Sequence, residues 1–278
     1  MLKSKSILIL LSAVICLSVS LIEAMAQKSR TKKLTIQGST TVLPIAQRCA
    51  EEFMKEHPEA NISVRGGGSG VGSAALIDGT IDIADASRAM KTKELKKARV
   101  NGINPVAHVV ARDAIAVILH PQNPVNNLTK SHLKAIYTGA ISRWNEVGGT
   151  SDVIVVVSRD VASGTFEVFN ELALDKQRVR PDALMQASNQ AVVNIVASTN
   201  GAIGYVGLGY LSKEVKPIAI EGVMPSVATA KSGAYLLARS LYMYTDGKPK
   251  GLAKEFIDFV LGPKGQKIVK EEGFVPVK

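Results

Sequence analysis

Two cysteines in 278 residues are too few for a disulfide-built scaffold. Aromatic residues are sparse, with one Trp, six Tyr and six Phe, and they are not interleaved with the basic residues. That argues against single-stranded nucleic acid as a ligand, since such sites need stacking platforms beside cations. The four histidines, His57, His108, His120 and His132, are scattered without metal-ligand spacing. No Gly-x-x-x-x-Gly-Lys-Ser/Thr phosphate loop is present. The glycines at 66, 67, 68, 70 and 72 miss the dinucleotide spacing because Ser69 stands where a glycine is needed. Val71 takes the last position of what would be a Gly-x-Ser-x-Gly elbow. Long apolar runs do not recur, which excludes a polytopic membrane protein. What is present is 46% hydrophobic residues, enough for a packed core, and a net charge of +10 that favours anionic partners without naming one.

The N-terminus carries Lys3 and Lys5, an apolar stretch from Ile7 to Ile22, and Ala24-Met25-Ala26. This is the layout of a secretory signal peptide spanning 1–26 and cleaved after Ala26, which places the mature protein outside the cytoplasm, secreted or periplasmic. The stretch is short for a membrane anchor. Cys16 follows Ile15, where a lipid-attachment site would need a small residue. Cleavage leaves Cys49 alone, and its amphipathic surroundings read as a core helix.

The mature chain alternates strand, Gly/Ser turn and helix, the pattern of an α/β layered fold. Strands are expected at 34–36, 61–65, 81–84, 114–119, 153–157, 201–206 and 240–244. Helices are expected at 44–56, 71–77, 91–99, 128–137, 163–174, 189–198, 254–261 and 264–270. Gly- and Pro-rich stretches near residues 121–124 and 222–233 suggest two crossings between domains. The expected division is 27–116 and 233–278 for a discontinuous first domain, with 117–232 inserted as the second.

Three places share one design: a strand ends, small hydroxylated residues and glycines follow, and a helix begins. They are Gly38-Ser39-Thr40-Thr41, Gly68-Ser69-Gly70 and Ser163-Gly164-Thr165. A helix N-terminus leaves N–H groups without partners and carries a positive dipole, so each is able to receive an anion. Any one alone is more simply a helix cap. Three at strand ends of one α/β chain is a stronger observation, since such folds bind ligands there. Arg159 ends the β-branched run Val153–Val157 and offers charged planar donors, with Asp160 beside it able to hold the guanidinium. Arg88, after Ser87, is the second basic candidate.

The segments Gly38-Ser39-Thr40-Thr41-Val42-Leu43-Pro44, Gly67-Gly68-Ser69-Gly70-Val71-Gly72 and Asp82-Ile83-Ala84-Asp85-Ala86-Ser87-Arg88 resemble the periplasmic phosphate-binding proteins of ABC transporters. So do Ser158-Arg159-Asp160-Val161-Ala162-Ser163-Gly164-Thr165, Gly201-Ala202-Ile203-Gly204-Tyr205-Val206 and Gly273-Phe274-Val275-Pro276. The resemblance covers nearly all of the mature chain in order. It implies a two-lobed type II periplasmic-binding-protein fold, hinged between lobes and enclosing one inorganic phosphate. The implied phosphate ligands are Ser39, Thr40, Thr41, Ser69, Gly70, Ser87, Arg88, Arg159, Ser163, Gly164 and Thr165, with no metal or cofactor. Implied partners are the transmembrane permease subunits of an ABC transporter, with the protein itself a monomer that does not bind nucleic acid. Many members carry an aspartate at the position of Ser87 to accept the phosphate proton. Here Asp160, Asp85 or a backbone carbonyl must be considered.

Binding of another tetrahedral oxyanion (tungstate, molybdate or sulfate) is the alternative. Catalysis by Ser69 or Ser163 would need an activating base, and no histidine lies near either in sequence. The expectation is a binding protein, not an enzyme.

Overall fold

A computed structural model describes residues 32–278. The expected signal peptide lies outside the described residues. In chain order the first elements are β1 (Lys32–Gly38), α1 (Leu43–Glu56), β2 (Ala60–Arg65), α2 (Ser69–Ile77), β3 (Ile83–Ala86) and α3 (Thr92–Val100). Next come β4 (Pro105–Leu119), β5 (Asn127–Leu128), α4 (Lys130–Thr138), β6 (Val155–Arg159), α5 (Gly164–Ala173), β7 (Leu184–Gln186) and α6 (Asn189–Ser198). The chain ends with β8 (Ala202–Gly207), β9 (Lys216–Pro217), β10 (Ala219–Ile220), α7 (Val227–Ser232), β11 (Ala238–Asp246), α8 (Gly251–Leu261) and α9 (Pro263–Glu271).

One curled sheet runs in the order β2-β1-β3-β11-β4-β8-β6-β7, with β9 added beside β4. The 15-residue β4 joins its two halves: residues up to Ala114 pair antiparallel with β11, and Ile115 onward pairs antiparallel with β8. The first half is parallel through β2, β1 and β3. The second is parallel through β8, β6 and β7. Parallel neighbours need crossover helices, and these cover both faces of each half.

Helix α1 shows how the layers hold. Pro44 occupies its first turn, where a missing N–H costs nothing. Ile45, Ala46, Cys49, Ala50 and Phe53 recur at helical spacing and are buried together with Ile36, Phe256 and Val260. A side chain such as Phe53 contributes about 1.5–3 kcal/mol by leaving water. Cys49 is a fully buried free thiol, as expected, and burial pushes its pKa up to about 12. In the second half, Tyr137, Trp144, Phe169 and Tyr205 form an equivalent core.

Most expected elements are present within two or three residues. Strand β4 reaches back to Pro105, because its first part alternates partly exposed residues and gives no apolar run. Strand β3 starts at Ile83 rather than Ile81: at Asp82 the backbone N–H still donates to the Thr35 carbonyl, but the Thr35 N–H is taken by the Asp82 carboxylate. The stretch 222–233, expected as a crossing linker, contains α7, capped by Ser226. Tyr235 and Leu237 still pack in the second half's core, and Ala238 is the first residue paired with β4 in the first half. Strand β7 was not expected.

Candidate functional site

The C-terminal ends of the parallel neighbours β1 and β3 lie side by side, and the loop after the C-terminal end of β6 meets them where the halves join. The hydroxylated loops after β1, around the start of α2 and before α5 all arrive there. Ser39, Thr40, Thr41, Ser69, Ser87, Arg159, Ser163 and Thr165 are all buried. Thr41 Oγ1 and Thr165 Oγ1 lie 3.0 Å apart across the junction. Ser69 Oγ lies 3.3 Å from Ser87 Oγ and accepts the Ser87 N–H at 3.0 Å. At Gly164 a Cβ would fall 2.3 Å from Ser69 Oγ and 2.7 Å from Ser87 Oγ, so only glycine lets the α5 N-terminus approach. Gly68 at φ +97° faces the Ala162 carbonyl, where a Cβ would sit 2.6 Å away.

Arg159 is the largest buried polar side chain of this group, with 1% of its surface exposed. Its Nε donates to the Gln186 carbonyl at 3.0 Å, and Nη2 donates to the Ala187 carbonyl at 3.0 Å and to Thr40 Oγ1 at 3.1 Å. Its Nη1 is buried with no hydrogen-bond partner among the described residues. No carboxylate pairs with it, and burial pushes its pKa down from the ordinary arginine value. A buried guanidinium without a counter-ion costs several kcal/mol, and an anion at Nη1 would offset that cost. The arginine is positioned by its strand: its N–H donates to the Tyr205 hydroxyl at 3.1 Å, and Tyr205 stacks on Phe169 of α5 at 3.9 Å.

A second cation reaches the same hydroxyls. Arg239, at the start of β11, donates from Nη1 to Thr165 Oγ1 at 3.0 Å and from Nη2 to Thr41 Oγ1 at 3.3 Å. Its Nε and Nη2 also bind Asp113 Oδ2 on β4 at 2.9 and 2.8 Å. Asp113 Oδ1 accepts the Leu208 N–H at 2.9 Å from the second half. Burial raises the Asp113 carboxyl above the ordinary range, and Arg239 pulls it back. Asn189 completes the set: its Nδ2 donates to Thr40 Oγ1 at 3.2 Å and Thr41 Oγ1 at 3.1 Å, and its Oδ1 accepts the Gly207 N–H at 3.3 Å. Two guanidiniums and one carboxylate leave one net positive charge, beside helix N-termini and hydroxyls that both donate and accept. This chemistry suits one small oxyanion.

Several expected ligands have other duties. Arg88 is not aimed at the hydroxyl cluster. Its guanidinium donates to Glu94 at 2.7 and 2.8 Å, and its Nε lies 2.8 Å from a Glu167 carboxylate oxygen but out of line for a hydrogen bond, so two carboxylates of the protein already neutralise it. The Gly70 N–H is used as well, donating across the junction to the Ala162 carbonyl at 2.9 Å. Ser39 Oγ accepts the Thr41 N–H at 3.1 Å within the loop and Ser163 Oγ caps α5 by accepting the Phe166 N–H at 3.2 Å, each with a hydroxyl proton still to give. Asp160 does not hold Arg159; its carboxylate accepts the Ala162 N–H at 2.9 Å and shapes the loop.

Arg239, Asp113 and Asn189 were not found from the sequence. Arg112 and Asp113 stand directly before the apolar run Ala114 to Leu119, and a carboxylate abutting a buried strand was the available signal. Nothing local marks Arg239 as its partner, since they are 126 residues apart.

A family model described as a PBP superfamily domain matches residues 24–264. Among curated proteins, the phosphate-binding protein PstS of Bacillus subtilis (strain 168) is 35% identical over 256 residues, covering 91% of this chain and 84% of that protein. The PstS of Pseudomonas aeruginosa is 32% identical over 289 residues, covering 96% and 90%. Among solved structures, a candidate phosphate ABC transporter substrate-binding protein from Clostridium perfringens, crystallised with bound phosphate, aligns at a TM-score of 0.81 with 31% identity. It covers 89% of this chain and 100% of that one. An ABC-type phosphate transport receptor from Vibrio cholerae aligns at 0.73 with 32% identity, covering 87% and 99%.

Proposed function

Because the chain belongs to the PBP superfamily and, within it, to the PstS phosphate-binding proteins, we propose that it captures one inorganic phosphate between two lobes and delivers it to an ABC-transporter permease. The observation that carries the reading is the buried Arg159 Nη1, without a partner beside Thr40, in a cluster of neutral hydroxyls. The bound phosphate is held by Arg159, Arg239, Thr40, Thr41, Ser69, Ser87, Ser163 and Thr165, with the first-turn N–H groups of α5. The lobes divide where β4 changes partner, at Ala114/Ile115, and where the chain returns, at Leu237/Ala238. Closure about these two strands is the signal that the permease reads.

Phosphate is favoured over tungstate, molybdate or sulfate by the company the chain keeps among its relatives. Rejection of sulfate calls for an acceptor that cannot donate, a carboxylate or backbone carbonyl, facing the proton that phosphate retains at neutral pH and sulfate lacks. Binding without turnover fits the local chemistry. Ser69 Oγ is engaged with Ser87, and Ser163 Oγ caps Phe166, so neither has a base to activate it.

Isothermal calorimetry with phosphate tests the reading: tight binding near one phosphate per chain, with sulfate at least about 100-fold weaker, is expected. No heat with phosphate, or equal affinity for sulfate, overturns it. Residues 1–26 act as an export signal, so the mature protein recovered from outside the cytoplasm begins at Gln27. It is a monomer, which light scattering checks. Among the described residues no helix is long and apolar enough to cross a membrane.

A further inference from the structure

Arg88, held apart from the hydroxyl cluster, is part of a charged cluster that spans the two lobes. From its own lobe Glu94 grips it with both carboxylate oxygens, and Glu94 also accepts the Lys91 N–H at 2.8 Å in the first turn of α3. From the other lobe Glu167 of α5 reaches Arg88 Nε at 2.8 Å and Lys91 Nζ at 2.7 Å. The side chains of Arg88, Glu94 and Glu167 are 5%, 15% and 16% exposed, so these contacts are shielded from solvent far more than ordinary surface pairs.

Position gives the cluster its meaning. Glu167 lies in the first turn of α5, two residues after Thr165, and that turn supplies the second lobe's anion-binding end. Arg88, Lys91, Glu167 and Arg239 line one cleft of about 660 Å³ between the lobes, and Arg239 also touches Thr165 and Thr41 at the anion pocket. Arg239 is thus common to the cleft wall and the pocket, and the charged cluster ties the two sides of the cleft together.

We propose that Glu167 is a positioning residue for phosphate retention: by bridging to Arg88 and Lys91 it latches α5 to the first lobe and slows release of the enclosed anion. The inference rests on the phosphate reading above. Two accounts of Glu167 predict opposite signs. A carboxylate one helical turn from an anion pocket repels the anion, so if repulsion were its main effect, its removal would tighten binding and speed capture. As a latch, its removal loosens binding through faster release.

Stopped-flow and calorimetry on Glu167→Gln decide between them. The latch predicts a release rate raised about 10-fold and a smaller rise in capture rate, since more of the free protein stands open, with weaker binding as the net result. Lys176→Gln, which removes another cleft cation paired only with Glu171, leaves both rates as they are. Equal or tighter phosphate binding by Glu167→Gln overturns the latch. Absence of phosphate binding by the unmodified protein overturns the functional reading instead. In either case small-angle scattering of the anion-free proteins reads the latch directly: Glu167→Gln shifts the population toward open, more extended particles. Identical scattering curves for the two proteins contradict it.

Discussion

Arg88 and Arg159 are both buried arginines placed at or just after strand ends facing the junction, and both look like anion ligands in the sequence. Their surroundings separate them. Arg88 is enclosed by Glu94 and Glu167, and these carboxylates hold its pKa above the ordinary value in spite of burial. Arg159 is surrounded by carbonyls and a hydroxyl, and burial pushes its pKa down. One guanidinium has its counter-ions supplied by the protein. Each keeps one nitrogen outside hydrogen bonds, but that of Arg88 lies 2.8 Å from the Glu167 carboxylate and that of Arg159 faces no counter-ion among the described residues. A buried cation becomes a binding group when the fold withholds its partner, and a structural tie when the fold supplies one.

The largest expected effect follows from that difference. Arg159→Ala should weaken phosphate binding by about 100-fold or more in calorimetry, since it removes the one cation not neutralised by the protein. It should cost little folding stability, because an uncompensated buried charge disappears with it. Arg239→Gln should weaken phosphate binding too and, unlike Arg159→Ala, should also destabilise the fold. It leaves Asp113 buried without its ion pair, at about 3–5 kcal/mol of stability in urea unfolding, and Asp113→Asn in the same chain should restore part of that loss. Arg88→Ala should weaken phosphate binding by only about 10-fold, mainly through release, because Arg88 ties the lobes without touching the anion. A loss equal to that of Arg159→Ala would erase the comparison.

The smallest effect concerns a buried charge of the other sign. Asp85 on β3 has both carboxylate oxygens buried without a partner, and burial raises its pKa well above the carboxylate range. The folded chain then holds a proton that the unfolded chain releases above about pH 4. Stability from this group is therefore full below that pH and falls as pH rises toward the folded pKa. Asp85→Asn should flatten the fall, so that its melting temperature relative to the unmodified protein rises between pH 5 and pH 8, about one to a few degrees in all. An unchanged difference across that range would contradict it.

The α/β architecture was legible because strand, Gly/Ser turn and helix leave strong local patterns. Three hydroxylated helix starts were legible for the same reason, and the structure brings Thr41, Ser69 and Thr165 into one cluster. What escaped was long-range pairing. Arg88 read as a ligand because Glu167 lies on a distant helix, although Glu94, six residues on, was in view. Arg239 and Asp113 were invisible as a pair because burial of a charge is decided by which strands become neighbours. Asn189 read as the ordinary first residue of a helix, and its bonds to the loop after β1 and to Gly207 of β8 are long-range.

The central claim is that Arg159 and the hydroxyls around it enclose the anion. A crystal structure of the protein grown with phosphate tests this most directly. The account predicts one phosphate within hydrogen-bond distance of Arg159 Nη1, Arg239 and the Thr41, Ser69 and Thr165 hydroxyls, with Arg88 still bound to Glu94 and Glu167. Phosphate seated instead against Arg88 and Lys91 in the outer cleft, with Arg159 Nη1 left without a partner, would contradict it.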